Sequence, residues 1–590
     1  MAKEQASNES VKPQKNSKSI AECDVNIEQE DANAALLQKS SRGVPLLISV
    51  QFLTKLLTFL LNQLLIRYVT PRVFGVSAYL EFLVSTVLFF SREGVRLSVQ
   101  RIESNNRTEK SSSSSKIHKY NASSKSGVHQ SVINFGFIPI IIGIPITTAI
   151  FYWQYQSSAF QESLVQLPFH KITLALIGSS VFLELILEPI YALNQYQLNF
   201  TRRSQSESLA VFNRCILTFG SVYFAANYSN FDGSHYEGAG VLSFAIGQFA
   251  YSFTLFAWYF YSFCIEDSEI TFSFQRVYYS TNSYYYLEPK IFTIWKGLFV
   301  QMLFKQLLTE GDKLLINYLC TVEEQGVYSV VTNYGSIVAR LLFQPIEEAM
   351  RLLFTKLLSS TTPSETSVND SYRTIKLLSI FYFNLSVLIV LAGFTNSSFL
   401  LKSILGNSKW SQTSIFDVFP QYTIYIPFLA FNGILEAFFS SIATNEDIRN
   451  FSIYMTASTI IVLSSSYFFI AYAEMGLTGL ILSNIVNMSL RIGYCYTSIK
   501  KFYNKHSISI SLSKIFTNVQ YGLLAVFISE FVSYKIILKG ETLNTRNIFE
   551  LLKSFFNCLG CLLILCFLER NNLKELVIQI RSKALKRKSE

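Results

Sequence analysis

The sequence is poor in charged residues, which make up 15% of its 590 positions. Soluble globular chains carry about 25%. Apolar residues instead reach 50% of the chain, which contains 51 Phe and 33 Tyr. The length would allow several soluble domains. This shortage of charge argues against them and favours a membrane protein.

Motifs for catalysis and for metal binding are also absent from the sequence. It contains no P-loop, Gly-x-Ser-x-Gly or zinc signature, and its five histidines are isolated. The eight cysteines are scattered, mostly within apolar segments, where they behave as small hydrophobic residues. The sequence therefore predicts neither an enzyme nor a protein with a cofactor or a metal site.

The first 43 residues lack an apolar run, so they are not a signal peptide. They are rich in Ser, Asn, Gln and Glu, which predicts a disordered tail over residues 1–43. The chain also lacks a soluble basic domain that would account for its net charge of +10. We therefore expect no nucleic-acid partner.

Long apolar runs recur from about residue 45 to residue 568. A helix that crosses a bilayer needs about 20 such residues. These runs are too long for the strands of a membrane barrel, so they are predicted to be helices. The fourteen predicted segments are 45–69, 73–91, 131–153, 172–194, 207–228, 239–264, 293–320, 325–345, 374–395, 417–441, 451–473, 477–499, 515–537 and 548–568.

Lys and Arg residues are concentrated in alternate loops, which predicts the orientation of the chain in the membrane. The loop 92–130 and the C-terminal tail are rich in them, whereas 154–170 and 229–238 contain none. Both termini are therefore expected in the cytoplasm, as an even number of spans requires. The loop 534–547 departs from this pattern because it carries three basic residues.

Ionisable residues inside membrane helices are rare and mark substrate or ion pathways. Lys55 lies in the middle of the first predicted segment and Arg67 at its end, while Arg92 and Arg96 lie one turn apart after the second. Because the planar Arg side chain can make two hydrogen bonds to phosphate, a cavity lined by such residues would bind an anionic headgroup. The predicted substrate-binding residues are Arg67, Arg92, Arg96, Lys305, Lys55 and Arg340.

The acidic residues of the predicted helices leave two interpretations open. They could form ion pairs that fix helices together, or pairs that change partner during transport. The predicted gating residues are Glu310, Asp312, Lys313, Glu347 and Glu348. Isolated acidic residues deep in helices are instead typical of a cation-coupled exporter, and the candidates for that role are Glu81, Glu184 and Glu188.

The stretch LLTEGDKLLINYLCTVEEQGVYSVVTNYGSIVARLLFQPIEEAMRLLF (307–354) closely resembles the signature region of the Rft family. This family comprises the oligosaccharide-diphosphodolichol translocation proteins of the endoplasmic reticulum. Residues 51–98, 396–414, 427–444 and 476–492 are similar to other stretches of the family, and the resemblance runs from about residue 45 to 570. It implies membership of the superfamily of multidrug and toxin extruders, polysaccharide exporters and lipid-intermediate flippases.

For the fold, the resemblance implies an all-α membrane protein with two six-helix bundles around a central cavity and two further C-terminal helices. A polar, Tyr-rich stretch at about 265–290 separates the predicted helices into two such sets. The predicted organisation is a cytoplasmic tail (1–43), the first bundle (44–264) with a Ser-rich cytoplasmic loop (92–130), a cytoplasmic linker (265–290), the second bundle (291–500), two extra helices (501–568) and a basic cytoplasmic tail (569–590).

For the function, the resemblance implies that heptasaccharide-diphosphodolichol is moved from the cytoplasmic to the lumenal leaflet of the endoplasmic reticulum membrane for protein N-glycosylation. The expected partners are this lipid and the surrounding membrane lipids. Family positions linked to the cavity or to function match Arg67, Arg92, Arg96, Lys305 and Glu310. Two alternatives stay open: an accessory factor that binds the lipid-linked oligosaccharide and hands it on without flipping it, and a cation-coupled small-molecule antiporter.

Overall fold

A computed structural model describes most of the chain. The described residues are 60–102, 120–122, 124–197, 199–227, 233–266, 270–280, 283–358, 364–406, 409–410, 412–508, 519–532 and 548–570. The predicted N-terminal tail, residues 103–119 of the Ser-rich loop and most of the basic C-terminal tail lie outside these residues.

Helices occupy each of the fourteen predicted segments, so the predicted all-α fold is confirmed. The first half contains α1 (60–68), α2 (Pro71–Val99), α3 (Lys125–Gly136), α4 (Ile138–Tyr155), α5 (His170–Tyr196), α6 (Phe200–Asn227) and α7 (Ser234–Glu266). The second half contains α8 (Pro289–Leu319), α9 (Val322–Val338), α10 (Gln344–Leu358), α11 (Glu365–Leu405), α12 (Ile415–Ile442), α13 (Asn445–Tyr467) and α14 (Gly476–Lys505). Two C-terminal helices follow, α15 (Val519–Val532) and α16 (Ile548–Leu568).

Within the described residues, nine helical stretches are long and apolar enough to cross a membrane. The longest is α11, with 41 residues. At 1.5 Å per residue it measures about 60 Å, roughly twice the thickness of the hydrocarbon layer. The helix therefore extends well beyond the layer. The nine apolar helical stretches together indicate that the chain is a multi-pass membrane protein.

The end of α2 differs from the prediction, which stopped this segment at residue 91. The helix continues to Val99, so Arg92 and Arg96 lie on it and not in the following loop. A boundary read from hydropathy falls at the first charged residues. The structure supplies these arginines with carboxylates from α5, so the helix continues inside the protein.

The prediction that the eighth segment ends at residue 345 was also wrong. The chain stays helical to Leu358, through a π-helical turn at Ala339–Phe343 that joins α9 to α10. Pro345 has no N–H and its ring crowds the preceding turn, and a π turn accommodates both effects without ending the helix. The start of α9 is fixed by a capping box between Thr321 and Glu324.

The stretch between the halves forms a small antiparallel hairpin of β1 (Val277–Ser280) and β2 (Ser283–Tyr285). The fully buried Asn134 on α3 holds the hairpin to the first half. Its Nδ2 donates to the carbonyls of Gln275 and Tyr286 at 2.6 and 2.8 Å, and its Oδ1 accepts from the Gln275 N–H at 3.1 Å. These three bonds give the first half a defined connection to the start of α8.

Each half has its own buried core. Val87 and Leu185 belong to a cluster that joins α2 to α5 in the first half, and Phe354 and Phe438 pack with ring centroids 4.7 Å apart in the second. Lipid tails are as apolar as these side chains, so close packing and interhelical hydrogen bonds hold membrane helices together. The second-half cluster also includes Ile66 of α1, so the two halves share packed side chains where α1 ends.

Candidate functional site

A cavity of about 490 Å³ lies between α2 of the first half and α9 of the second, with contributions from α7 and α8. Hydroxyl and amide side chains dominate its polar surface. The polar residues that line it are Ser77, Tyr79, Glu81, Ser85, Asn317, Gln325, Tyr328, Ser329, Thr332 and Asn333. Of the described lining residues, only Glu81 is charged.

At one end of the cavity, α2 and α9 touch backbone to backbone. A Cβ atom on Gly75 would lie 1.9 Å from the Val322 carbonyl oxygen, and one on Gly326 would lie 2.1 Å from that of Pro71. Only glycine permits an approach this close. We call this the closed end of the cavity.

At the closed end, side chains of each half cap the end of a helix that belongs to the other half. Arg67 at the end of α1 donates from Nε to the Ile404 carbonyl oxygen of α11 at 2.8 Å. In return, Trp410 donates from Nε1 to the Ile66 oxygen at 3.1 Å, and Lys409 donates from Nζ to the Tyr68 oxygen at 2.7 Å. The last carbonyls of a helix have no partner within it, so these donors satisfy groups that would otherwise need water.

Lys409 is also enclosed by the first half. Its ammonium lies 3.9 Å from the centre of the Tyr236 ring, and the Tyr236 hydroxyl donates to the same Tyr68 carbonyl oxygen. Burial lowers the pKa of Lys409, although the nearby Glu237 carboxylate acts in the opposite direction. Lys409 is thus a partly desolvated contact between the halves.

At the other end of the cavity, an arginine follows the polar lining on each of the two facing helices. Arg92 lies two turns beyond Ser85 on α2, and Arg340 lies two turns beyond Asn333, in the π turn that follows α9. Two turns correspond to about 10 Å along a helix. The Arg340 guanidinium reaches back to the cavity, because it donates to Asn333 at 2.9 Å (backbone oxygen) and 3.0 Å (Oδ1). We call this the arginine end.

The basic residues of α2 are paired with carboxylates of α5 in this conformation. Arg92 lies 2.8 Å from Glu184, which also accepts a hydrogen bond from the Ser252 hydroxyl at 2.8 Å. Arg96 makes two bonds to Glu188, at 2.5 and 2.8 Å. Both carboxylates are buried. Each arginine charge is therefore balanced within the first half.

The acidic residues considered for cation coupling all have basic partners. Besides the two pairs of α5, Glu81 contacts Arg214 of α6 at 3.0 Å. Unlike the isolated acids expected from the sequence, Glu81, Glu184 and Glu188 are members of ion pairs. Each carboxylate is engaged by a guanidinium group, so this arrangement is unlike that of a solitary acidic residue.

The remaining predicted site residues fall into three groups. Glu347 pairs with Arg351 on its own helix at 2.9 Å, and Glu348 is exposed. Lys55 lies outside the described residues. For Lys305, Glu310, Asp312 and Lys313 the structure describes the α8 backbone but not the side chains.

The structure does not bring all the predicted basic residues into one chamber. Arg67 lies at the closed end, and Arg92 lies about 30 Å away along α2. Arg92 and Arg340 both lie at the arginine end. The predicted roles of these residues stay predictions.

Several residues of the site were missed by sequence reasoning. The pairing of Arg214 with Glu81 depends on a contact between distant segments that no local pattern reveals. Lys409 and Trp410 lie within the stretch 396–414 that resembles the Rft family, but no local pattern there indicates a contact with the first half. Ser77 and Ser85 were missed as well, although they recur with Glu81 at one-turn spacing on α2, a signal that could have identified them.

Comparisons with known proteins agree with the fold and the expected family. The family model described as "Rft protein" matches residues 39–579. The chain is 45% identical to the Man(5)GlcNAc(2)-PP-dolichol translocation protein RFT1 of Candida albicans, over 95% of this chain and 98% of that one. It is 40% identical to the protein of the same name from Saccharomyces cerevisiae, over 80% of this chain and 84% of that one.

Two solved structures share the fold at low sequence identity. The lipid II flippase MurJ in an inward closed conformation aligns with a TM-score of 0.58 and 15% identity, over 90% of this chain and 99% of that one. A multidrug resistance MATE family transporter of the MOP superfamily, in an inward-facing conformation, aligns with a TM-score of 0.54 and 12% identity, over 77% and 96%. These likenesses support the two-half architecture.

Proposed function

The chain belongs to the Rft protein family, and from this premise we propose that it translocates Man(5)GlcNAc(2)-PP-dolichol from the cytoplasmic to the lumenal leaflet of the endoplasmic reticulum membrane. The proposal includes cytoplasmic termini and a role in protein N-glycosylation, and it includes no covalent reaction. The observation that carries it is the polar cavity between the halves, with Arg92 and Arg340 beyond its lining.

The chemistry of the cavity fits the two polar parts of this lipid. Sugar hydroxyls donate and accept hydrogen bonds, as do the hydroxyl and amide groups of the lining. The diphosphate matches the guanidinium groups of Arg92 and Arg340. Lys305, also predicted to bind it, lies on α8. This helix runs beside α2 at this level, since a Cβ atom built on Gly94 would lie 3.5 Å from the Cα of Phe299.

The size of the cavity indicates that this conformation is not the fully loaded one. Pockets of about 300–1,000 Å³ hold drug-sized ligands. A cavity of about 490 Å³ would therefore enclose part of a seven-sugar glycan. The dolichol chain, which has no polar groups to satisfy, would remain in the lipid.

Translocation requires the closed end to open while the arginine end closes. In transporters with two related halves, this happens by rocking of one half against the other around a central site. The capping bonds of Lys409, Trp410 and Arg67 would break in that movement. The ion pairs of Arg92 and Arg96 lie within one half and would persist through it.

A direct test uses purified protein in liposomes that contain labelled Man(5)GlcNAc(2)-PP-dolichol. We expect a larger fraction of the lipid to reach the opposite leaflet than in protein-free liposomes. The double variant Arg92→Gln with Arg340→Gln should abolish the difference. Glu184→Gln, which breaks the same buried ion pair but keeps Arg92, separates this loss from one caused by destabilisation. Arg449→Gln is the matched control, because this arginine is 71% exposed and lies on α13, away from the cavity lining.

Two other results would contradict translocation. Saturable binding without translocation, lost in the double variant, would indicate the accessory factor that hands the lipid on. Transport of a small cation in exchange for a proton or sodium gradient would indicate an antiporter.

A further inference from the structure

The closed end of the cavity contains polar atoms that no described residue satisfies. The Oγ atom of Ser77 and the Nδ2 atom of Asn317 are both buried without a hydrogen-bond partner. Ser77 is only 7% exposed, and both residues line the cavity. A buried polar group without a partner has lost its hydrogen bonds to water and gained none, so such groups in a cavity wall indicate a missing polar ligand.

Glu81 adds an acceptor to these two groups. It lies one turn beyond Ser77 on the same face of α2 and also lines the cavity. Its side chain is 58% exposed, and in the described part of the chain Arg214 contacts one of its two oxygens, Oε1, at 3.0 Å. Arg214 is a positioning residue, since it holds the carboxylate of this lining residue in place through Oε1.

We propose that Ser77, Glu81 and Asn317 form a subsite for the mannose residues furthest from the diphosphate, so that the glycan enters the cavity with its non-reducing end first. This inference rests on the proposed function. A neutral sugar can donate a hydroxyl to Glu81 and accept from Asn317. A diphosphate would be repelled by the Glu81 carboxylate, so the anionic part of the lipid does not belong here.

The spacing along α2 supports this orientation. Arg92 lies 15 residues beyond Ser77, or about 22 Å along the helix. In Man(5)GlcNAc(2)-PP-dolichol the diphosphate is attached to the GlcNAc end. With the diphosphate at Arg92 and Arg340, the GlcNAc residues would occupy the middle of the cavity and the mannoses would extend to the closed end.

Binding of two compounds with different glycan lengths tests the subsite. The probes are short-chain polyprenyl diphosphates that carry either Man(5)GlcNAc(2) or GlcNAc(2) alone, and binding is measured with the full-length purified protein. We expect Ser77→Ala and Asn317→Ala each to weaken binding of the seven-sugar compound about tenfold. Binding of the two-sugar compound should stay unchanged. Glu81→Gln should have the same selectivity and a larger effect.

The first two variants are chosen because they remove atoms that have no partner in the protein, so no internal hydrogen bond is lost. Ser386→Ala is the matched control. This serine on α11 is also buried without a partner, but it does not line the cavity, and we expect no change with either compound.

Each other result has a definite meaning. Equal losses for both compounds would overturn the subsite, because the two-sugar compound should not reach it. Unchanged binding of both would overturn it as well and would leave water as the occupant. In both cases translocation would stand. Failure of the wild-type protein to bind either compound would overturn the subsite and the proposed function together.

Discussion

The two ends of the cavity are held by different kinds of contact. At the closed end, Lys409, Trp410 and Arg67 donate to backbone carbonyls of the opposite half. At the arginine end, Arg92 and Arg96 pair with carboxylates of their own half. Contacts between halves must break during rocking, whereas contacts within a half need not.

The free energies of these contacts support the same distinction between the two ends. A hydrogen bond from a neutral donor contributes about 0.5–1.5 kcal/mol, one from a charged donor about 1.5–3 kcal/mol, and water can replace it when the closed end opens. Removing one partner of a buried ion pair instead costs about 3–5 kcal/mol. The closed end is therefore suited to opening, and the ion pairs are suited to keeping the first half rigid.

The largest effect is expected at the arginine end. Glu188→Gln should lower the free energy of unfolding by about 3–5 kcal/mol, because it leaves the Arg96 guanidinium buried and unbalanced. Thermal unfolding of the detergent-solubilised protein measures this. Arg449→Gln disrupts only an exposed pair at 3.9 Å and should change stability by less than about 1 kcal/mol. Equal effects of the two variants would show that the buried pairs do not hold the first half together.

A smaller but more localised effect is expected where α2 meets α9. Gly75→Ala should separate the helices at the closed end, because the new methyl group would lie 1.9 Å from the Val322 oxygen. Overpacking of this kind costs about 1–3 kcal/mol. Labelling of a cysteine introduced at Ser77 by a membrane-impermeant thiol reagent should become faster from the side of the closed end.

Gly297→Ala on α8 is the control for this substitution, because nothing lies within 4 Å of its added Cβ. It should leave the labelling rate unchanged. If Gly75→Ala also left it unchanged, the glycine contact would not be what closes this end.

The smallest effect is expected from Trp410→Phe. It removes the indole N–H that bonds the Ile66 oxygen and keeps most of the buried ring. The closed state should lose about 0.5–1.5 kcal/mol, and the same labelling reaction should accelerate only a few-fold. An acceleration as large as that from Gly75→Ala would mean that this bond, and not the helix contact, dominates the closure.

The helices were predicted well from the sequence because each one coincides with a long apolar run, as at 374–395 and 548–568. It misplaced the ends of the second and eighth segments, because hydropathy does not register that Glu184 can neutralise Arg92, or that a π turn accommodates Pro345. Such compensation depends on the tertiary structure.

The candidate site was predicted less completely for a related reason. Arg92 and Arg340 were predicted because charged residues stand out within single apolar segments, whereas Ser77 and Ser85 were not predicted. The pairing of Glu81 with Arg214, and the contact of Lys409 with Tyr68, join residues far apart in the chain. One sequence contains no signal for which distant residues meet.

The central claim is that the closed end opens during each transport cycle. It is tested most directly by a cleavable cross-link between cysteines introduced at Tyr68 and Lys409, which belong to opposite halves and are in contact. The control cross-link joins cysteines at Arg72 and Glu237, which pair at 3.3 Å within the first half. Each protein is compared with itself before cross-linking, in the liposome assay.

We predict that the Tyr68–Lys409 cross-link stops translocation of Man(5)GlcNAc(2)-PP-dolichol, that cleavage of the link restores it, and that the control cross-link has no effect. Translocation that continues with the closed end cross-linked would contradict the account, because the lipid would then cross without opening of this end.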